Sequence, residues 1–177
     1  GKNIMAILKI AKMGHPILLQ KAKKVDDPTD PKIKTLVNDM LETLDDLGNG
    51  VGLAAPQVHV SLQVVIFETV SDDGKEANLI TLINPKIDVL TKETSIDWEG
   101  CLSVPGLRGQ VNRPNKIKYS GLDLKGNKIE TIAEGFNARV VQHECDHLFG
   151  ILYPHRMKDL SSLQFVSEAK HWVNRNE

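Results

Sequence analysis

The clearest apolar periodicity in the chain lies between Asp30 and Gly48. Ile33, Leu36, Val37, Met40, Leu41, Leu44 and Leu47 recur at helical spacing, which predicts an amphipathic helix with one stripe packed on a sheet. Asp30 is placed to cap it, Pro31 suits the first helical position and Gly48 supplies the stop. Residues 62–67, 79–83, 86–90, 117–122 and 128–132 are short β-branched or alternating runs, the pattern of strands. Asp72-Asp73-Gly74 and Lys125-Gly126-Asn127 are turn signals, and the second predicts a hairpin. Residues 21–30 are polar and contain Pro28, so they read as loop. Residues 161–173 read as an amphipathic helix through Leu163, Phe165, Val166, Ala169 and Val173, inside a C-terminal helical segment assigned to 159–177.

Another helix is predicted up to Gly150. Thr131 as N-cap, with Glu134 three residues on, fits a capping box, and Gly150 is the expected stop. Val141, Cys145 and Leu148 form one apolar stripe, while Phe136 and Val140 lie on another face. A helix that is apolar on two sides is a buried one. Strands in succession ahead of it predict an α+β fold. Its strands are short and largely antiparallel, packed around this central helix, with an N-terminal amphipathic helix, a C-terminal helix and one domain over 1–177. Residues 1–4 are expected to be a cloning remnant ahead of a natural start at Met5.

Composition changes this picture little. Of 177 residues, 41% are hydrophobic and 25% charged, ordinary for a globular protein. A formal net charge of −1 gives no reason to expect nucleic acid as the main partner. No apolar run approaches the roughly 20 residues of a membrane span, and no secretory leader is expected. Cys101 and Cys145 do not make a disulfide framework, so a reducing compartment is the simpler setting. Gly14-His15-Pro16 is a turn, and His15, His155 and His171 read as surface residues.

The chemistry is concentrated in the buried helix. His143-Glu144-Cys145-Asp146-His147 is an H-E-x-x-H pattern. Residues four apart on a helix are rotated by about 40° and rise about 6 Å, so both imidazoles leave the same face. Two neutral imidazoles at that spacing can bind one metal ion, with Glu144 beside them to handle a proton from water. Chance yields roughly one such pattern per hundred chains of this composition. Cys145 lies about 200° around the helix from His143 and is expected to pack in the core. Cys101 needs another explanation, and a thiolate is the strongest available third ligand for a two-histidine site.

Residues 48–58 are unlike their surroundings. Gly48, Gly50 and Gly52 suggest a phosphate loop, but its Lys-Ser/Thr pair is missing and no strand precedes it. Leu53-Ala54-Ala55-Pro56 is too apolar for an exposed linker. The better reading is a bare backbone approaching a ligand, pairing with an extended chain, with Gln57 as a neutral donor to a carbonyl.

Taken together, Gly50-Val51-Gly52-Leu53-Ala54-Ala55-Pro56-Gln57, Glu99-Gly100-Cys101-Leu102-Ser103-Val104-Pro105 and Gln142-His143-Glu144-Cys145-Asp146-His147-Leu148 resemble the three signature motifs of the peptide deformylase family, in order and spacing. The resemblance runs from about Met5 to about Met157. It implies a hydrolase that removes the N-formyl group from new polypeptides starting with formyl-methionine. By that resemblance Cys101, His143 and His147 hold the metal, and Glu144 is general base and acid. Gln57 and the backbone N–H of Leu102 form the oxyanion hole, and Gly52 pairs with the substrate backbone. Val51, Arg108, Phe136, Arg139 and Val140 match positions around the methionine pocket and its mouth. Arg139 departs from an apolar lining, and its stem is expected to pack while its head stays wet. Glu99 is expected to support a ligating histidine, with Asp146 paired to Arg113 or the two forming an ordinary surface pair. The family commonly uses Fe²⁺, with Zn²⁺, Ni²⁺ or Co²⁺ able to take the site. A cytoplasmic monomer of bacterial type, working near the ribosomal exit tunnel, is the implied setting.

Two other readings share parts of this pattern. A zincin-type endopeptidase takes its third ligand from a carboxylate or histidine farther along the chain, and no such downstream motif is evident. A structural metal site in a ribosome-binding module needs a closed four-ligand shell, whereas the sequence offers three good ligands and a base.

Overall fold

The computed structural model describes residues 6–172, so the expectations for residues 1–4, Met5 and Val173 lie outside the described residues. In chain order it contains α1 (Pro31–Leu47), β1 (Gly52–Ala54), β2 (Val64–Val70), β3 (Ala77–Val89), β4 (Thr94–Cys101), β5 (Val104–Pro114), β6 (Lys116–Leu122), β7 (Lys128–Glu134), α2 (Gly135–His147), α3 (Tyr153–Arg156), β8 (Gln164–Phe165) and α4 (Ala169–Trp172). The paired strands are antiparallel and form two sheets. One has the order β1-β2-β3-β6-β7 and the other β4-β5-β8. The α+β class holds.

Strand β2 shows why helices cover both faces of the larger sheet. Successive side chains of a strand point to opposite faces. Val64 and Ile66 join Ile33, Val37, Met40 and Leu44 of α1 in one buried cluster. Val65 and Phe67 join Ala138, Val141 and Cys145 of α2, and Leu148 just beyond it, in another. Burying each of the larger side chains contributes about 1.5–3 kcal/mol. A third cluster, with Leu18, Val104, Val111, Leu152 and Tyr153, lies under the smaller sheet.

Helix α1 starts and stops as the sequence dictates. The Asp30 carboxylate accepts from the Lys32 N–H at 2.9 Å, and Gly48 at φ 70° closes the end. Helix α2 starts later than expected. Thr131 and Glu134 belong to β7, where they pair with Tyr119 and Lys116 of β6, so no capping box forms. The hairpin ladder uses those backbone groups, and the chain turns into the helix at Gly135 with φ 58°. Helix α2 ends at His147, and Gly150 stands in the turn beyond it.

Two further differences concern strands. Runs 79–83 and 86–90 are one long strand, β3, whose register shifts between Ile83 and Lys86. There Asn84 takes φ 52° and its side-chain amide bonds both the N–H and the C=O of Val25. The C-terminal α-helix starts at Ala169 rather than at Ser161. Gln164 and Phe165 pair with Arg108 and Leu107 of β5, and ladder bonds there displace the start of the helix, which among the described residues runs over α4.

Candidate active site

Three elements converge on one cleft of about 530 Å³. Helix α2 passes beneath it and contributes His143 and Glu144, while β4 ends in Cys101 on one side. The Gly50–Gly52 loop and Gln57 line it as well, with Gln57 Nε2 3.5 Å from Cys101 Sγ. Among the described residues, Cys101, His143 and His147 are the group whose ligand atoms cluster, all within 4.8 Å of one another.

The donor set fits a metal ion. Metal–sulfur and metal–nitrogen bonds of about 2.3 and 2.05 Å at a tetrahedral angle separate sulfur from nitrogen by about 3.6 Å. Cys101 Sγ lies 3.6 Å from His147 Nε2. His143 Nδ1 is 2.8 Å from Glu99 Oε1, which leaves Nε2 as the nitrogen for an ion. Cys145 points instead into the core beneath the larger sheet.

Glu144 lies beside this cluster with Oε2 buried and unpartnered. Burial pushes its carboxyl up to about 7, and the nearby Glu99 charge acts in the same direction. Burial works against charging both histidines. The Cys101 and Glu99 bonds outweigh it at His143, while His147 is pushed down by burial and then by the His143 charge.

Behind His143 runs a chain of alternating charges. Glu99 accepts from Arg113 Nε at 2.6 Å and Nη2 at 2.9 Å, and from Arg139 Nη1 at 2.8 Å. Arg113 Nη1 continues to Asp146 at 2.9 Å, and Asp146 accepts from Arg156 at 2.9 Å. Burial alone would raise the Glu99 carboxyl, but Arg113 and His143 hold it at about 2. Asp146 and Arg113 are therefore not an ordinary surface pair, since the Arg113 side chain is only 4% exposed.

Arg139 corrects the expectation of a wet head. The residue is 5% exposed, and its guanidinium is spent on Glu99, the Val111 carbonyl and the Ser95 carbonyl. Arg139 lies four residues before His143 on the same helix face, so its head meets the acid that holds that histidine. A cation at that position calls for a buried acidic partner, and that was the signal available in the sequence.

The remaining sequence-derived positions divide between cleft and support. Val51, Gly52, Phe136 and Val140 line the cleft, with Phe136 55% exposed at its lip. Leu102, in the turn between β4 and β5, lines it too. Arg108 does not. Its guanidinium lies 3.9 Å over the ring of Trp98, which does line the cleft. Trp98 and Ser103 were not singled out from sequence. Ser103 is fully buried and accepts from Gln57 Nε2 at 3.0 Å.

Residues 7–162 match the polypeptide deformylase family. The chain belongs to that family. Its members are metal-dependent hydrolases that remove the N-formyl group from nascent peptides. Peptide deformylase 1 of Nitrosomonas europaea is 50% identical over 164 residues, covering 90% of this chain and 93% of that protein. Peptide deformylase 1 of Bordetella pertussis is 50% identical over 161 residues, covering 89% and 91%. Among solved structures, the Met-Ala-Ser-bound class I type b peptide deformylase of Acinetobacter baumannii superposes with a TM-score of 0.79. It is 39% identical and covers 87% of this chain and all of its own. The deformylase of Thermotoga maritima gives a TM-score of 0.78 at 36% identity, covering 87% and 99%.

Proposed function

We propose that deformylation of formyl-methionyl peptides takes place in this cleft, with Cys101, His143 and His147 holding one divalent ion. The carrying observation is a buried carboxylate oxygen without a partner, on Glu144, beside three clustered metal donors. An ion held there supplies Lewis acidity, which makes water a competent nucleophile near neutral pH. Glu144 takes a proton from the attacking water and delivers it to the leaving amine. Gln57 Nε2 and the Leu102 backbone N–H receive the formyl oxygen as it becomes an oxyanion.

Substrate orientation falls to β1. It is the edge strand of its sheet, so its outer backbone is placed to pair with an extended peptide through Gly52. Val51, Phe136 and Val140 flank the methionine-like first side chain. Arg139 supports that pocket from beneath, and Arg108 acts through Trp98. Glu99 orients His143, and Arg113 and Asp146 hold Glu99.

A thiolate with two imidazoles suits several first-row ions, and Fe²⁺ is the proposed native one, with Zn²⁺, Ni²⁺ or Co²⁺ able to replace it. The chain is proposed to work as one catalytic domain and as a monomer in a bacterial-type cytoplasm, near the ribosomal exit tunnel. Among the described residues no helix is long and apolar enough to cross a membrane. Glu144→Gln tests the assignment. It should bind the ion near one to one and lose formyl-Met-Ala-Ser hydrolysis by at least about 10²-fold. A metal-free or nearly fully active variant overturns it.

A further inference from the structure

We propose that Ser103 is a positioning residue that aims the Gln57 amide, an inference that rests on the reading of Gln57 as an oxyanion donor. Gln57 is 1% exposed and follows β1 in a tight turn. The Ala54 N–H donates to its Oε1 at 2.9 Å. An N–H needs an acceptor, so this bond decides which end of the amide is oxygen and puts Nε2 on the opposite side. Nε2 carries two hydrogens. One goes to Ser103 Oγ at 3.0 Å, and the other faces Cys101 Sγ at 3.5 Å, the direction of the metal donors.

With Oε1 and one N–H both engaged, the remaining N–H has a single heading. The last torsion of a glutamine is otherwise broad. A donor that is already aimed avoids reorganisation as charge develops, which is how an oxyanion hole accelerates reaction. The backbone reinforces the arrangement. Ala11 N–H donates to the Gln57 carbonyl and Met13 N–H to the Ser103 carbonyl, each at 2.7 Å. One short segment, residues 11–13, therefore holds both loops, and the Ser103 hydroxyl stands at a fixed place relative to the amide.

The test uses metal-loaded enzyme and formyl-Met-Ala-Ser, comparing the parent with Ser103→Ala, Gln57→Ala and the double variant. Ser103→Ala should lower kcat about tenfold with KM within about twofold. Its metal content should equal the parent's, and the double variant should be no slower than Gln57→Ala alone. Ser103→Thr keeps the acceptor oxygen and should stay within about threefold of the parent kcat. If Gln57→Ala is fully active, the reading of Gln57 fails. If Gln57→Ala is slow while Ser103→Ala is not, or the two losses multiply, the positioning role of Ser103 is refuted. It is refuted too if Ser103→Ala loses metal, which would place its action on Cys101, or if Ser103→Thr retains metal and is as slow as Ser103→Ala.

Discussion

A Cβ placed on Gly52 would stand 2.7 Å from Oε1 of Glu144. Gly52 is not in the left-handed region, so glycine is required there by space rather than by backbone conformation. The nearest atoms all belong to the Glu144 side chain, which can swing away at small cost to the fold. Gly52→Ala should therefore fold with a Tm within a few degrees of the parent and lose about 10²-fold in kcat/KM, because a misplacement of about 1 Å costs that much. Parental kinetics would mean that the Glu144 carboxylate has latitude the cleft does not show.

Stability should depend on pH through Glu99. Its carboxyl is held at about 2 against an ordinary 4.5, so folding favours the ionised form. That contribution is complete above about 4.5 and is lost as pH falls toward about 2. At about 1.4 kcal/mol per pH unit it is on the order of 3 kcal/mol. Glu99→Gln lacks it, so the gap in urea unfolding free energy between parent and variant should be widest at neutral pH and narrow toward pH 3. A gap independent of pH would show that the Arg113 and Arg139 contacts do not favour the ionised carboxylate.

The two thiols should behave differently. Cys145 is buried, and burial, followed by the charges of Glu144 and Asp146, pushes its thiol up. Cys101 is partly exposed in the cleft. An alkylating reagent should therefore modify one cysteine in folded metal-free protein, identified as Cys101 by peptide mapping, and two after denaturation. Added Zn²⁺ should protect Cys101. Modification of Cys145 in the folded protein, or no protection by metal, contradicts this picture.

Gly150 should matter for stability alone. It adopts φ 74°, and a Cβ there would meet the Leu19 carbonyl oxygen at 2.5 Å. A strained left-handed residue costs roughly 1–3 kcal/mol, and here backbone must also move. Gly150→Ala should lower unfolding free energy by at least about 2 kcal/mol while kcat per folded, metal-loaded molecule stays within about twofold. An unchanged denaturation midpoint would mean the turn relaxes freely.

How much of this was legible depended on how local the signal is. Helix α1 was readable from its apolar stripe and caps because both are short-range. The clustering of His143 and His147 beside Glu144 could be read because a helix of known pitch brings both imidazoles to one face. Strand β4 was not. Only Ile96 and Trp98 of its large side chains are apolar, and most of its residues face solvent, so no alternation marks it. The C-terminal stretch misled because Leu163, Phe165 and Val166 have helical spacing, while pairing with β5 decided the conformation of Gln164 and Phe165. Thr131 and Glu134 misled for the same reason, their backbone being committed to the β6–β7 ladder.

The run of charges Arg139, Glu99, Arg113, Asp146 and Arg156 begins in the core and ends at a side chain 47% exposed. Each internal member answers two neighbours, but Arg139 pairs with Glu99 alone, so replacing Glu99 leaves the Arg139 charge buried without its counterpart, at about 3–5 kcal/mol. That is a large fraction of a domain's whole stability of about 5–15 kcal/mol. Replacement of Glu99 is therefore constrained to exchanges that also change Arg139. The route from Arg139 to an apolar residue opens only where Glu99 stays neutralised by Arg113, whereas Arg156, at the wet end, is free to vary alone.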